Sequence, residues 1–133
     1  MADYTVKNID EMRGAYGGAF KRARAELGVS SFGMAVIDMP AGYDGYPEHD
    51  HAEDGQEEVF LALRGGGELD IEGERHPLDG EHMIRVASGT KRKVLPGPDG
   101  IRLLVLGAAP GRTYAAPAFS QLDGGETFAP APS

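Results

Sequence analysis

An all-β fold of short antiparallel strands is what this sequence predicts, and three observations lead there. Clusters of turn-forming residues recur roughly every eight to twelve positions, the rhythm of a sandwich or barrel. Twenty glycines and nine prolines in 133 residues are too many for a helical bundle and suit tight turns. The runs between them are short, and Ser31 to Met39 and Ile101 to Leu106 are mostly apolar, as in buried strands.

Along the chain, one helix comes first. Phe20, Ala23 and Leu27 recur at helical spacing within residues 19–27, and Gly28 follows as a C-terminal cap. Lys21, Arg22 and Arg24 suit the negative end of its dipole, and Gly14, Gly17 and Gly18 weaken any helix upstream. Ser31 to Met39 reads as a buried strand ended by Pro40-Ala41-Gly42. A loop from Gly42 to Pro47 leads into a histidine-bearing strand. Glu58 to Leu63 is the next strand, with Gly65-Gly66-Gly67 as the break after it. Glu68 to Ile71 and Arg75 to Leu78 form a hairpin around Glu72-Gly73-Glu74. Asp79-Gly80 turns again, His82 to Val86 is a strand, and Ser88-Gly89 is a turn. Arg92 to Leu95 is a strand closed by residues 96–100, and Ile101 to Leu106 is the most apolar strand of all. Pro110, Pro117, Pro130 and Pro132 then mark an irregular tail, with Ala129 to Ser133 expected to be mobile. The organisation expected is one domain: residues 1–30 an N-terminal helix and arm, 31–110 a barrel, 111–133 a tail.

Bulk properties narrow the partners. The formal charge of −8 disfavours nucleic acid and anionic membranes. No apolar run approaches the roughly 18 residues that span a bilayer, and the N-terminus shows no secretory pattern. Cysteine is absent, so there is neither disulfide nor thiolate site, which suits a reducing compartment. The expectation is a cytoplasmic protein.

The segment Pro47-Glu48-His49-Asp50-His51 carries the chemistry. In a strand, residues i and i+2 share a face, so His49 and His51 can aim two imidazoles at one point. Glu58, at the start of the run Val59-Phe60-Leu61, can add a carboxylate. Two histidines and one carboxylate suit a divalent transition metal. Gln56 lies two residues before Glu58, faces the same side in a regular strand, and can fill a further position. Tyr46 and Phe60 are candidates to line a pocket, with Tyr43 beside them; each can equally be plain core. His76 and His82 stand apart and read as surface imidazoles. Tyr114, Phe119 and Phe128 lie beyond the barrel strands, where they cover a sheet or a partner subunit.

These residues resemble the cupin family, small barrels of the double-stranded β-helix (jelly-roll) type. His49-Asp50-His51, then Glu58, then Gly65 after six intervening residues, match the family's first motif, with a longer gap between His51 and Glu58. In the second motif Gly80 and Gly89 keep their places, Ala87 stands for a proline, Pro96 for an asparagine and Arg92 for the fourth, histidine ligand. The similarity spans about residues 33 to 107. It implies a cupin barrel with a short N-terminal helix, a site in the barrel and a homodimer. Arg92 cannot lose its proton and cannot ligate. It either sits at the ligand position, pairs with Glu58 and holds the cavity together without an ion, or binds an anionic ligand in two-pronged fashion, or closes a salt bridge at the rim and leaves His49, His51 and Glu58 to hold an ion. Three functions follow, one of them a largely structural protein whose barrel has lost its chemistry. Another is a protein holding a small polar or anionic metabolite, with or without a divalent metal (zinc, iron, manganese, nickel or copper). The third is a metal-dependent enzyme of the dioxygenase, isomerase or lyase kind.

Overall fold

In the computed structural model, residues 1–126 are described; the expectations for Phe128, Pro130, Pro132 and the chain end at Ala129 to Ser133 lie outside the described residues. The chain begins with a short 3-10 turn, Ile9–Glu11, capped by the Asn8 side chain. A two-residue hairpin follows, β1 (Gly14–Ala15) and β2 (Phe20–Lys21). The helix is shorter than its pattern suggests: α1 is Ala23–Leu27, closed by Gly28 in the left-handed conformation. Phe20 and Lys21 were expected inside it. Their backbone instead pairs with Ile37 and Val36, and Phe20 packs on the main core, so sheet pairing overrides a weak local preference.

Strand β3 (Gly33–Met39) pairs along its length with the end of β7 (Arg92–Ala108). Strand β4 (Glu57–Ile71) pairs antiparallel with the same β7 over nearly all its residues. Here the sequence reading is corrected twice. Gly65-Gly66-Gly67 does not end a strand, and neither does the Pro96–Gly100 segment. Both are bends inside long strands, with register shifts between Ala62 and Arg64 and between Gly65 and Gly67. A proline in mid-strand is tolerated at such irregularities because one ladder donor is lost there anyway.

Strand β5 (Glu74–Leu78) closes a hairpin onto the far half of β4. Its turn residues Glu72 and Gly73 both have positive φ, 51° and 94°, the type I′ geometry that matches strand twist. Asp70 fastens the turn by accepting from the Gly73 N–H. Strand β6 (Ile84–Val86) pairs with the near half of β4. The bent sheet, in the order β1-β2-β3-β7-β4-β5 with β6 also on β4, folds back on itself. Phe60, Leu103 and Val105 from one half meet Leu69, Leu78 and Val94 from the other in a single core. The result is an all-β jelly-roll barrel with one short N-terminal helix. No helix among the described residues is long and apolar enough to cross a membrane.

Outside the barrel, Ala23, Val36 and Met12 form a second apolar cluster, with Leu27 and Leu104 against it. The helix is thereby fixed to the outer face of β3. Beside it lies Glu26, buried and held by Arg13 through side chain and backbone N–H, each at 2.9 Å, and by Lys7 at 3.3 Å. The Arg13 guanidinium first, then the Arg13 N–H, then Lys7, lower its carboxyl to about 2 against the opposing effect of burial. A carboxylate whose folded pKa lies below its unfolded value stabilises the fold above the unfolded pKa, about 4.5, and that contribution is lost as pH falls toward about 2. Glu26→Gln is therefore expected to lower the urea midpoint at pH 7. The gap to the parent protein should narrow as pH falls from about 4.5 to about 2; a constant gap would deny the Glu26 charge this role.

The segment after β7 is fastened rather than free. Arg22, 4% exposed, donates through Nε to the Phe119 carbonyl at 2.7 Å and through Nη2 to the Gly125 carbonyl, and its guanidinium stacks 5.0 Å from the Phe119 ring. Phe119 in turn meets Phe20 at 5.0 Å. Tyr114 puts its hydroxyl beside Gly33, where a Cβ would lie 2.9 Å from it.

Candidate metal centre

His49 and His51 lie in a loop, not on the strand that the i, i+2 pattern suggests. Three backbone hydrogen bonds give them their direction. His49 and Arg92 exchange both N–H···O bonds, at 3.0 and 2.9 Å, and the His51 N–H donates to the Ser88 carbonyl at 2.7 Å. A directly opposed antiparallel pair presents both side chains on one face, so His49 and Arg92 face the same way. Glu58 comes from β4, flanked by Val86 of β6 and Gly107 of β7. Gly107 makes room for it: a Cβ there would sit 3.2 Å from Glu58 Cγ and 2.9 Å from Gln56 Oε1.

The donor atoms of His49, His51 and Glu58 all lie within 4.8 Å of one another. The two imidazoles stand edge to face, with centroids 5.2 Å apart. Each is held by its far nitrogen. His49 Nδ1 is 2.9 Å from the Pro47 carbonyl, and His51 Nδ1 is 3.1 Å from both oxygens of Asp54. Carbonyl and carboxylate oxygens only accept, so both Nδ1 atoms carry a proton, which leaves the Nε2 of each imidazole, when neutral, with a lone pair for the site. His51 Nε2 lies 3.2 Å from Glu58 Oε1. Glu58 holds the His51 imidazole above its usual range against burial, and Asp54 adds to the effect.

Arg92 enters this interior rather than the rim. Its side chain has no exposed surface, its Nη2 donates to the Ala87 carbonyl at 2.9 Å, and its Nη1 is 3.7 Å from Glu58 Oε1, too far for a hydrogen bond. Four buried side-chain polar atoms among the described residues lack a hydrogen-bond partner, and three meet here: Glu58 Oε1, Arg92 Nε and Arg92 Nη1.

The remaining candidates are placed as follows. Tyr46 packs its ring 5.5 Å from His49; burial raises the pKa of its phenol, with the Glu58 charge adding and Arg92 partly offsetting. Phe60 follows Glu58 on the same face and is sealed in the core, 0% exposed. Gln56 turns its amide to Asp54, with Nε2 donating at 3.2 Å and the backbone N–H at 3.1 Å. It thus braces the carboxylate that orients His51. Tyr43 is exposed. His76 is exposed on β5, and His82 pairs with Asp79 at 2.8 Å. Asp54 reads in the sequence only as part of a charged, solvated loop with Glu48, Asp50 and Glu53, so its orienting role is missed, as is the space that Gly107 leaves. The three-residue step from His51 to Asp54 was the available signal for the first. Nothing in the sequence marks the second, because its role depends on which strand passes Glu58. A surface cleft of about 430 Å³ lies at the strand bends, lined among others by Asp38, Arg64 and Arg102; none of the three donors lines it.

Comparison with solved structures gives a consistent picture. A cupin protein from Bacteroides fragilis superposes with a TM-score of 0.68 at 21% identity, over 88% of this chain and 93% of that one. A sugar phosphate isomerase from a cupin superfamily, from Silicibacter pomeroyi, gives 0.57 at 21% identity, over 74% of this chain and 66% of its own. A DMSP lyase from Ruegeria pomeroyi gives 0.53 at 28% identity; the similarity covers 64% of this chain and only 42% of the lyase. No protein-family model and no curated protein matches the sequence.

Proposed function

This chain is a small protein of the cupin fold, and from that premise we propose that it binds a divalent transition metal through His49, His51 and Glu58, with a small polar or anionic metabolite beside the ion. One observation carries the reading: three donor atoms converge within 4.8 Å while each Nδ1 is occupied elsewhere. The donor set of two imidazoles and a carboxylate suits zinc, iron, manganese, nickel or copper. The buried, unpartnered Glu58 Oε1 is an acceptor that an ion would satisfy.

Arg92 opposes the ion without excluding it. At an effective dielectric of about 20, a divalent ion about 4 Å from a guanidinium is repelled by roughly 8 kcal/mol, while the same ion about 2 Å from a carboxylate is attracted by roughly 16 kcal/mol. Glu58 therefore outweighs Arg92, and both imidazoles add to its side.

An ion on three protein donors keeps open positions, and when bound it supplies Lewis acidity to an oxygen placed there. Those open positions, together with neighbours named as a lyase and an isomerase, favour the enzyme reading as the second function of the same site. Around it Tyr46 and Phe60 would shape an apolar wall, and Arg92 would hold a negative group.

Metal analysis of protein purified without chelator tests the proposal. We expect a stoichiometric transition metal, falling to background in His49→Ala. Metal-free protein from supplemented growth medium would overturn it.

A further inference from the structure

We infer that Arg92 makes metal and carboxylate binding mutually dependent: the site takes the ion together with a carboxylate-bearing metabolite, whose carboxylate spans the ion and the guanidinium. This rests on the metal-binding reading above and adds both the ligand class and the regulation of the site.

Arg92 is fully buried, yet only Nη2 has an acceptor; Nε and Nη1 have none. A buried N–H without an acceptor is costly and uncommon in folded proteins. Glu58 does not relieve it, because Oε1 stays 3.7 Å from Nη1 and itself lacks a hydrogen bond. Both unsatisfied partners sit beside the histidines, since Arg92 is the backbone partner of His49 and Glu58 Oε1 lies 3.2 Å from His51 Nε2.

Charge then decides the stoichiometry. Without an ion, the Arg92 and Glu58 charges balance, and an added anion meets a site with no net positive charge. With an ion alone, three positive charges face the Glu58 carboxylate in a half-buried place, and the other carboxylate close by, Asp54, stands behind His51 on its far nitrogen. With both ligands, the anion offsets the excess left by the ion, and the ion supplies the attraction that Arg92 has already shared with Glu58. Each ligand removes the other's penalty, which is a coupling free energy and therefore reciprocal. The planar guanidinium with unspent N–H groups favours a planar carboxylate: one oxygen accepts from Arg92 while the other turns to the ion.

The test measures Co²⁺ affinity by its visible absorbance and chelator competition, at pH 7, in chloride and in acetate of equal ionic strength. We expect acetate to tighten Co²⁺ binding about tenfold, and Co²⁺ to tighten acetate binding by the same factor. In Arg92→Gln, Co²⁺ should bind about tenfold tighter in chloride, and the acetate effect should nearly vanish. No Co²⁺ binding in any buffer overturns the metal reading itself. Co²⁺ binding that is equal in chloride and acetate, or an acetate effect as large in Arg92→Gln as in the parent, overturns the coupling and leaves the metal reading in place. Tightening by inorganic phosphate and not by acetate overturns the carboxylate assignment. If Arg92→Gln does not fold, the reciprocal measurement on the parent protein decides alone: acetate binding unchanged by Co²⁺ overturns the coupling.

Discussion

Glu58→Ala, measured in the presence of chelator, is expected to destabilise the barrel by about 3–5 kcal/mol, while Arg92→Met costs only about 1–2 kcal/mol. The two residues form one contact, so a symmetric view would assign them equal losses. The surroundings say otherwise. Arg92 has no exposed surface, and Glu58 is its only ion-pair partner among the described residues. Removing Glu58 leaves a guanidinium buried with no counter-charge, and a guanidinium cannot shed its proton to escape. Glu58 has a second partner. His51 Nε2 stands 3.2 Å away with its pKa already raised, so the carboxylate that remains in Arg92→Met still faces an imidazole that can take up a proton beside it.

The double variant Glu58→Ala/Arg92→Met should regain most of the Glu58→Ala loss, because the stranded charge goes with Arg92. Urea midpoints of the four proteins give the cycle directly. Additive losses in the double variant would show that the pair is not coupled and that Arg92 is stabilised by something other than Glu58.

This asymmetry lies outside what sequence can reveal, and the boundary runs residue by residue. The hairpin at Glu72-Gly73 was readable because turn chemistry is local: both positions need positive φ, which Gly73 adopts freely and Glu72 accepts at 51° against its own preference. The convergence of His49, His51 and Glu58 was readable too, although the reason differed. The i, i+2 argument assumed a strand, while the structure uses a loop stitched to Arg92 and Ser88. Gln56 was expected to offer a ligand from the face of Glu58; its amide nitrogen is held by Asp54, while its amide oxygen lies beside Gly107, as Glu58 Cγ does. Arg22 and Arg24 were read as charges complementing a helix end, and Arg24 Nη1 does donate to the Val29 carbonyl just past that end at 2.8 Å, yet both are also buried. Arg22 holds Phe119 and Gly125, and Arg24 reaches Gln121 at 3.2 Å. Partners so distant in sequence leave no periodic trace near either arginine. Glycine and proline punctuate a sequence in the same way whether the chain stops a strand or bends one. That ambiguity hid the continuity of β4 and β7.

Gly65→Ala isolates that bend, and we expect it to cost about 3 kcal/mol or more. Two effects add. Gly65 has φ of 68°, where a side chain strains the backbone by about 1 kcal/mol or more. A Cβ there would also sit 2.2 Å from the Gly100 carbonyl oxygen and 3.0 Å from its carbon. These are backbone atoms of the partner strand, so no rotamer can relieve the clash; β4 and β7 must separate. Gly73→Ala serves as the reference. It has positive φ, 94°, but nothing within 4 Å of the new Cβ, so it carries the strain alone, about 1–2 kcal/mol. The difference between the two urea midpoints measures the close approach of the strands. The consequence reaches the candidate site, because β4 carries Glu58 before the bend and Leu69 after it, and only a tight crossing brings both halves around one core. Equal losses in the two variants would mean that the bend tolerates a wider spacing and that Gly65 is there for its backbone angle alone.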